Sequence, residues 1–145
     1  MIVLLQRVST AQVVIAGEVT AHIARGLLVF VGVEHDDTEQ QAERLLERVL
    51  GYRVFSDEQG RMNLSLRDIS GDLLMVPQFT LAADTGKGMR PSFTPAASPV
   101  EGERLFTYLV QRAVHYHENV AAGCFGADMQ VSLTNDGPVT FWLQA

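Results

Sequence analysis

The stretch GLLVFVGV, Gly26–Val33, is apolar from end to end. A strand with one wet face alternates apolar and polar residues, whereas a strand covered on both faces shows an unbroken apolar run. We therefore predict that it forms a strand in the middle of a sheet, with other parts of the chain packed on both of its faces.

The residues before this stretch favour further strands. β-branched or apolar runs occupy residues 2–8, 11–17 and 19–24, and polar residues or glycines separate them. Gly17-Glu18 lies between two of the runs and predicts a hairpin. The first 33 residues are therefore expected to supply strands only.

After residue 33 the apolar spacing becomes helical. Thr38–Gln41 matches a capping box, apolar residues follow at helical spacing to Leu50, and Gly51 ends the run. Ser98–Glu101 is a second capping-box pattern with a proline at the first helical position, and its apolar stripe runs through about residue 117. These patterns predict two amphipathic helices on the outside of the sheets.

The other segments complete the predicted fold. We expect a short strand at 52–55, loop and turn at 56–71, a strand at 72–82 and a long loop at 82–97; strands at 127–134 and 139–144 close the chain as a hairpin around Asn135–Pro138. The prediction is an α/β fold: a single domain, residues 1–145, of mostly antiparallel or mixed β-sheets packed together with two outer helices.

Composition limits the class of protein. Apolar residues make up 47% and charged residues 19%, which predicts a packed core. No apolar run approaches the ~20 residues of a membrane span, and Met1–Arg7 lacks the pattern of a secretory signal. A single cysteine fits a reducing cytoplasm. The net charge of −6 disfavours a protein that wraps a long nucleic-acid backbone, although it permits one that grips only the end of an RNA.

Few residues suggest metal or covalent chemistry. The four histidines show no metal-ligand spacing, so we expect no metal and no cofactor. Cys124 is expected to be a small buried apolar residue. The segment DTGKGMR lacks the spacing of a phosphate-binding loop, so Lys87 and Arg90 are interpreted as residues of a solvated loop that can still meet a few phosphates.

The stretch MVPQFTLAA, Met75–Ala83, carries an amide and a hydroxyl two residues apart. In a strand, Gln78 and Thr80 share one face, while the other face is wholly apolar. Taken alone, the pattern favours a strand that leaves the core. Pro77 cannot donate to a ladder, which predicts a sheet edge or a bulge at that residue.

Two motifs together are more specific. PQFTLAAD at 77–84 and NDGPVTFWL at 135–143, with LLQRV at 4–8, closely resemble the D-aminoacyl-tRNA deacylases, and the resemblance covers the whole chain. It implies a cytoplasmic homodimer that hydrolyses the ester between a D-amino acid and the terminal adenosine of tRNA and spares the L-isomer. Its partners would be a second copy and the acceptor end of aminoacyl-tRNA, without DNA, membrane, metal or cofactor.

The resemblance also assigns roles to residues. It implies two active sites at the dimer interface, with one wall from 77–81 and a cis Gly-Pro from the other subunit whose backbone oxygens exclude L-side chains. The implied residues are Gln78, Phe79 and Thr80 for catalysis, Gly137, Pro138 and Arg7 for chiral selection, and Phe125, Gly126 and Met129 for adenosine.

Some alternatives stay open. Thr80 is either the nucleophile or a positioning group for a reaction assisted by the tRNA 2′-hydroxyl, with main-chain N–H groups near Phe79 and Thr80 holding the oxyanion. The family usually has serine where this chain has Pro77, so a serine hydroxyl cannot be essential here. The rival functions are a non-catalytic dimer that binds RNA ends and a small-molecule esterase that uses Thr80.

Overall fold

A mixed sheet with helices against one face makes up most of the protein. The computed structural model describes all residues from Met1 to Ala145. The strands and helices are β1 (Ile2–Ile15), β2 (Glu18–Ile23), β3 (Gly26–Gly32), α1 (Glu39–Gly51), β4 (Phe55–Ser56), β5 (Met62–Leu64), α2 (Leu66–Ile69), β6 (Asp72–Pro77), α3 (Pro99–Tyr116), β7 (Val120–Ala122) and β8 (Gln130–Gln144). No helix is long and apolar enough to cross a bilayer.

Strand β1 organises the antiparallel half of the sheet. One of its edges pairs with β8 along almost the whole strand, from Ile2 opposite Gln144 to Val14 opposite Gln130. The other edge pairs first with β3, at residues 2–8, and then with β2, at residues 11–15. The predicted strands at 2–8 and 11–17 are therefore one continuous strand that changes partner half-way.

The other half of the sheet is parallel. β6 pairs with β3 on one side and β7 on the other, both in parallel, so the strand order is β2-β1-β3-β6-β7. Helix α1 lies in the connection from β3 to β6, and α3 lies in the connection from β6 to β7. Because β3 is central and nearly all of it is buried, the prediction from its unbroken apolar sequence is confirmed. The predicted α/β class with mixed sheets is confirmed as well.

Two buried clusters hold the layers together. The larger lies between the sheet and the helices and takes Leu27 and Val29 from β3; the smaller takes Leu28 from the opposite face of that strand. The apolar stripes of the helices face the larger cluster, with Ala42, Leu45, Leu46, Val49 and Leu50 from α1 and Leu105, Phe106, Leu109 and Ala113 from α3. Each fully buried large side chain contributes about 1.5–3 kcal/mol to folding.

The two helices begin where the capping patterns predict. Thr38 and Gln41 form the complete capping box, and the Thr38 N–H donates to Gln41 Oε1 at 2.8 Å. At α3 the box is only half formed: Ser98 Oγ accepts from the Glu101 N–H at 3.4 Å. The Glu101 carboxylate accepts from Arg104 Nε at 3.0 Å instead of reaching back.

A polar group also joins the helices. The Glu43 carboxylate on α1 accepts hydrogen bonds from the Tyr108 hydroxyl at 2.7 Å and from Arg112 Nε, both on α3. The hydrogen bond from Tyr108 is the main reason that the pKa of Glu43 lies below its ordinary value.

The predicted loop at 56–71 was wrong in part. It contains β5, which pairs with β4, and the short helix α2. Ser65 caps α2 with a capping box, because its N–H donates to Asp68 Oδ2 at 2.7 Å and its hydroxyl accepts from the Asp68 N–H at 3.2 Å. Hydrogen bonds from Ser65 lower the pKa of Asp68. Only the last residue of the predicted strand at 52–55 lies in β4, and β7 was not predicted at all.

The predicted C-terminal hairpin was also wrong. Residues 130–144 form one strand, β8, which stays paired with β1 on both sides of Asn135–Pro138. Asp-Gly is a common hairpin turn, but here β1 is long enough to pair with both flanking segments. The turn residues therefore form a bulge within a strand and do not reverse the chain.

Gly26 provides a test of the parallel half of the sheet. A Cβ at Gly26 would lie 1.8 Å from the backbone oxygen of Asp72, the first residue of β6. We expect Gly26→Ala to lower the free energy of unfolding by at least about 2 kcal/mol, because β3 and β6 would have to separate. Urea denaturation measures the change.

Gly51→Ala is the matched control, because a Cβ there meets no atom within 4 Å. Its free energy of unfolding should stay within about 0.5 kcal/mol of the wild-type value. Equal urea midpoints for Gly26→Ala and Gly51→Ala would contradict the close approach of β3 and β6.

Candidate active site

Strand β6 ends at Pro77, next to the end of its neighbour. The last pair between β6 and β7 is Met75 opposite Ala122, so Pro77 lies where no ladder donor is needed on that side. This agrees with the edge position that the missing N–H predicts. The next residue still pairs with β3, because the Gln78 N–H donates to the Val31 oxygen at 2.8 Å.

Beyond Pro77 the predicted strand is wrong, because the chain forms a 3₁₀ turn at Phe79–Ala82. The Leu81 N–H donates to the Gln78 oxygen at 3.2 Å, which closes the turn. Gln78 and Thr80 therefore do not lie side by side on one strand face. They meet within the turn, where Gln78 Nε2 donates to Thr80 Oγ1 at 2.5 Å.

The start of this turn leaves two main-chain donors free. The N–H groups of Phe79 and Thr80 precede the first residue that can bond within the turn, and neither has another acceptor. Both residues are exposed. Two adjacent free N–H groups at such an end carry partial positive charge, so together they can hold a negatively charged oxygen.

An apolar cavity of about 250 Å³ lies beside the turn. It is at the carboxyl ends of β3 and β6 and the first turn of α3, the position where open α/β sheets usually bind ligands. Its lining consists of Val31, Val33, Pro77, Phe79, Ala97, Pro99, Gly102, Phe106, Phe125 and Gly126. A Cβ at Gly102 would lie 3.2 Å from the Phe125 ring, so the glycine makes room for that ring beside α3.

The cavity brings together only some of the predicted residues. Phe79, Phe125 and Gly126 line it, while Gln78 and Thr80 lie in the adjoining turn. Met129 does not line it: its sulfur accepts from the Cys124 N–H at 3.4 Å.

Much of the cavity lining was not predicted from the sequence. Val31 and Val33 lie at the end of the predicted central strand, and Pro99 and Gly102 lie at the predicted start of a helix. The sequence did predict a central strand and a helix start, and ligands usually bind where the carboxyl end of such a strand meets a helix N-terminus. That placement could have indicated these lining residues.

A second aromatic ring extends the site outward. Phe93 lies against Phe79, with ring centroids 5.1 Å apart and the rings tilted. Phe79 is 56% exposed and Phe93 42% exposed. Neighbouring exposed rings of this kind are typical of a surface that another molecule covers.

The other predicted motif forms a bulge in β8. Asn135 pairs with Val8 and Thr140 pairs with Gln6, so residues 136–139 lie opposite Arg7 alone. The Gly137-Pro138 peptide bond within this bulge is cis.

The Asn135 side chain closes the bulge. Its Oδ1 accepts from the Val139 N–H at 2.7 Å, and its Nδ2 donates to the Val139 oxygen and to Thr140 Oγ1, both at 3.1 Å. One side chain thus satisfies both backbone groups of Val139, the last residue of the bulge.

Arg7 holds the bulge from β1. Its Nε donates to the Asp136 oxygen at 2.8 Å and its Nη1 donates to the Val54 oxygen at 2.6 Å, with the side chain only 12% exposed. A Cβ at Gly137 would lie 3.2 Å from Nη2, so the guanidinium also packs against that glycine. Arg7, Gly137 and Pro138 are therefore together, but none of them lines the cavity of the same chain.

Other reactive side chains lie apart. No group of three or more histidine, cysteine or acidic residues is close enough to hold a metal ion. Cys124 is exposed, so the prediction that it is buried was wrong; it lies in the connection from β7 to β8, outside any strand that would bury it. The nearest hydrogen-bond partner of its thiol is the Phe125 oxygen, at 3.8 Å, which is not a base.

Comparison with known proteins agrees with the sequence motifs. A family model described as D-Tyr-tRNA(Tyr) deacylase matches residues 4–144. The chain belongs to this family.

Individual relatives support the assignment. A protein of Nitrosococcus oceani named D-aminoacyl-tRNA deacylase is 65% identical over 144 residues, which is 99% of this chain and 93% of that relative. A protein of Escherichia coli O1:K1 / APEC with the same name is 60% identical and covers 99% of each chain.

Two solved structures share the fold. One, of a protein named c-Myc DNA Unwinding Element Binding Protein, has a TM-score of 0.96 and 34% identity and covers 100% of this chain and 99% of its own. The other, of a probable eukaryotic D-amino acid tRNA deacylase, has a TM-score of 0.85 and covers 99% of this chain and 98% of its own. Its 17% identity supports the fold alone.

Asn135 provides a test of the bulge. We expect Asn135→Ala to lower the free energy of unfolding by about 1–3 kcal/mol, because it leaves the N–H of the buried Val139 without its partner. Ser132→Ala, an exposed serine on the same strand whose side chain makes no hydrogen bond, is the control. Thermal or urea unfolding of both variants gives the comparison, and equal losses would mean that Asn135 does not hold the bulge.

Proposed function

We propose that this protein hydrolyses the ester bond between a D-amino acid and the 3′-terminal adenosine of tRNA, which releases the free amino acid and reusable tRNA. It would thereby remove D-residues before they enter translation. Its membership of the deacylase family supports the proposal. The structural observation that carries it is the pair of free N–H groups at Phe79 and Thr80 beside an aromatic-lined cavity.

The cavity suits the terminal adenosine. Bases at an RNA end are commonly held by stacking on aromatic side chains. Phe125 lies in the wall and Gly126 leaves space beside it, so we propose that these residues contact the adenosine. Met129 is not part of the cavity lining, and its sulfur accepts a hydrogen bond from the Cys124 N–H, so we propose that it supports the segment that carries Phe125.

The reaction needs little from side chains. Water attacks the ester carbonyl carbon, the carbonyl oxygen becomes negative, and the ribose 3′-oxygen leaves and takes a proton. The Phe79 and Thr80 N–H groups are proposed to hold the negative oxygen, and such a donor typically contributes a factor of about 10² to 10³ in rate. Gln78 and Thr80 would position the substrate.

The hydrogen bond of Thr80 argues against a threonine nucleophile. Its Oγ1 accepts from the Gln78 amide, and no imidazole or carboxylate bonds to it to remove its proton. We therefore propose that the 2′-hydroxyl of the terminal ribose assists the attack. Pro77 at the family's serine position agrees with chemistry carried by the backbone and the RNA.

Chiral selection is proposed to need a second copy of the chain. The Gly137-Pro138 loop does not reach the cavity of its own chain, and we propose that it enters the partner's cavity and presents backbone oxygens there. An L-side chain would collide with those oxygens, whereas a D-side chain would point away. Exclusion by backbone atoms selects no particular D-residue, and glycine, which has no side chain, would escape it.

The structure offers an apolar surface for such a homodimer. Leu4 pairs with Trp142 on one side and with Phe30 on the other, so their side chains form one row on a sheet face. Trp142 is 52% exposed, and Leu4 and Phe30 are half-buried. Covering this row would remove apolar area from water and bring two copies together.

The proposed function also concerns which molecules the protein binds and where in the cell it acts. One protein of similar structure is named for DNA binding, but a net charge of −6 disfavours binding along a duplex, so we propose no DNA partner for this chain. The protein is proposed to act without metal or cofactor, in the cytoplasm, where aminoacyl-tRNA is made. A binding module for RNA ends and a small-molecule esterase that uses Thr80 are the rival functions.

One set of substrates separates these functions. We expect deacylation of D-tyrosyl-tRNA, slower deacylation of glycyl-tRNA, and none of L-tyrosyl-tRNA or of the methyl ester of D-tyrosine at the same enzyme concentration. Release of labelled amino acid gives the rates. Binding without turnover would favour the module, comparable cleavage of the methyl ester would favour the esterase, and intact glycyl-tRNA would refute exclusion by backbone oxygens.

A second experiment identifies the attacking group. We expect Thr80→Ala to keep most of the kcat on D-tyrosyl-tRNA, because the N–H of residue 80 remains. Replacing the terminal adenosine by 2′-deoxyadenosine should instead abolish most turnover by the wild-type protein. If Thr80→Ala instead abolished turnover and the 2′-deoxy substrate were still cleaved, Thr80 would be the nucleophile.

A further inference from the structure

The long loop after the 3₁₀ turn has a defined shape. Asp84 and Ser92 exchange two backbone hydrogen bonds, of 2.8 and 2.9 Å, which close its base. Asp84 Oδ1 accepts from the Gly86 N–H at 2.9 Å, and Gly88 has a φ of +69° at the tip. All residues from 85 to 91 are exposed. The loop is therefore a tip held on a closed base.

The base of this tip is fixed to the proposed active site. Phe93, next to Ser92, packs on Phe79, which lines the cavity. Further along, the Ala97 N–H donates to the Val33 oxygen at 3.0 Å, and both of these residues line the cavity as well. The closed base of the tip is therefore attached to residues of the cavity wall through Phe93 and Ala97.

The tip carries two cations without partners. Lys87 and Arg90 form no ion pair and no hydrogen bond, in contrast to Arg7, Arg48, Arg53, Arg104 and Arg112, which bond to oxygens elsewhere in the chain. With Asp84, residues 84–92 have one acidic and two basic side chains, a charge of +1 in a chain of −6.

Two other free cations lie far from the cavity. Arg44 and Arg67 line a separate groove with Tyr116, at the last residue of α3, whereas the cavity is at the first turn of that helix. An 18-residue helix separates the two ends by about 27 Å. Lys87 and Arg90, in contrast, lie on a loop whose base packs on the cavity wall through Phe93.

We propose that Lys87 and Arg90 bind phosphates of the tRNA acceptor end while the terminal adenosine lies in the cavity. The inference rests on the proposed function and adds to it the surface that receives the RNA backbone. A protein of net charge −6 repels a polyanion, so an RNA end would be guided to the site where two unpaired cations stand. Lysine and arginine are also the usual phosphate-binding side chains.

Salt dependence tests this surface. We compare kcat/KM for D-tyrosyl-tRNA from 50 to 300 mM KCl in the wild-type protein and in the double variant Lys87→Gln/Arg90→Gln. Each lost phosphate contact should make the slope of log kcat/KM against log salt shallower by about 0.7–0.9. We expect the double variant to be shallower by about 1.4–1.8 in total and slower at low salt.

Two controls isolate the phosphate contact. Arg44→Gln/Arg67→Gln removes the same charge from the distant groove and should keep the wild-type slope. D-tyrosyl-adenosine, which has the ester but no phosphate, should be cleaved equally by the wild-type protein and by both double variants.

Three results would overturn the inference: a wild-type slope in Lys87→Gln/Arg90→Gln, an equal loss of slope in Arg44→Gln/Arg67→Gln, or an equal loss of activity on D-tyrosyl-adenosine. Failure of the proposed function looks different, because the wild-type protein would then leave D-tyrosyl-tRNA and D-tyrosyl-adenosine intact, and the inference would fall with it.

Discussion

The ladder between β1 and β8 is the constraint on which the rest of the structure depends. It joins the two ends of the chain along almost the whole of both strands, while the opposite edge of β1 carries β3 and β2. Val8 pairs with Asn135 and Gln6 pairs with Thr140. Because β8 has more residues than β1 between these two pairs, the extra residues of β8 must leave the ladder. The Gly137-Pro138 loop is that excess, and Arg7 is the β1 residue that lies across from it. The placement of the motif therefore follows from strand register.

Prediction of the elements from the sequence was correct where the signal was local. The unbroken apolar run of β3, the capping box at Thr38 and the proline at the start of α3 each specify their element within a few neighbouring residues. It failed where a distant partner decides the outcome. Asn135–Pro138 has the composition of a hairpin turn, but the free edge of β1 keeps both flanks in one strand.

In the candidate site, too, local sequence signals were informative and contacts between distant segments were not predicted. The sequence motif marks residues 77–81, yet alternation along a strand could not reveal a 3₁₀ turn, because the turn uses backbone bonds that any of these residues can make. The cavity draws its walls from β3, the start of α3 and the segment before β8, which are far apart in the sequence. Only the resemblance to a family connected Phe125 and Gly126 to the motif at 77–81. Met129 followed from the same resemblance and lies outside the cavity lining.

The bulge at residues 136–139 also bears on solubility. β8 pairs with β1 alone, so the other edge of this long strand presents unpaired backbone donors and acceptors. An unpaired edge of this kind can add strands from other chains, which leads to aggregation. A looped-out segment in the middle breaks that edge into two short pieces, and another chain cannot add to it as one continuous strand. The bulge that carries the proposed selectivity thus also interrupts the one long free edge of β8.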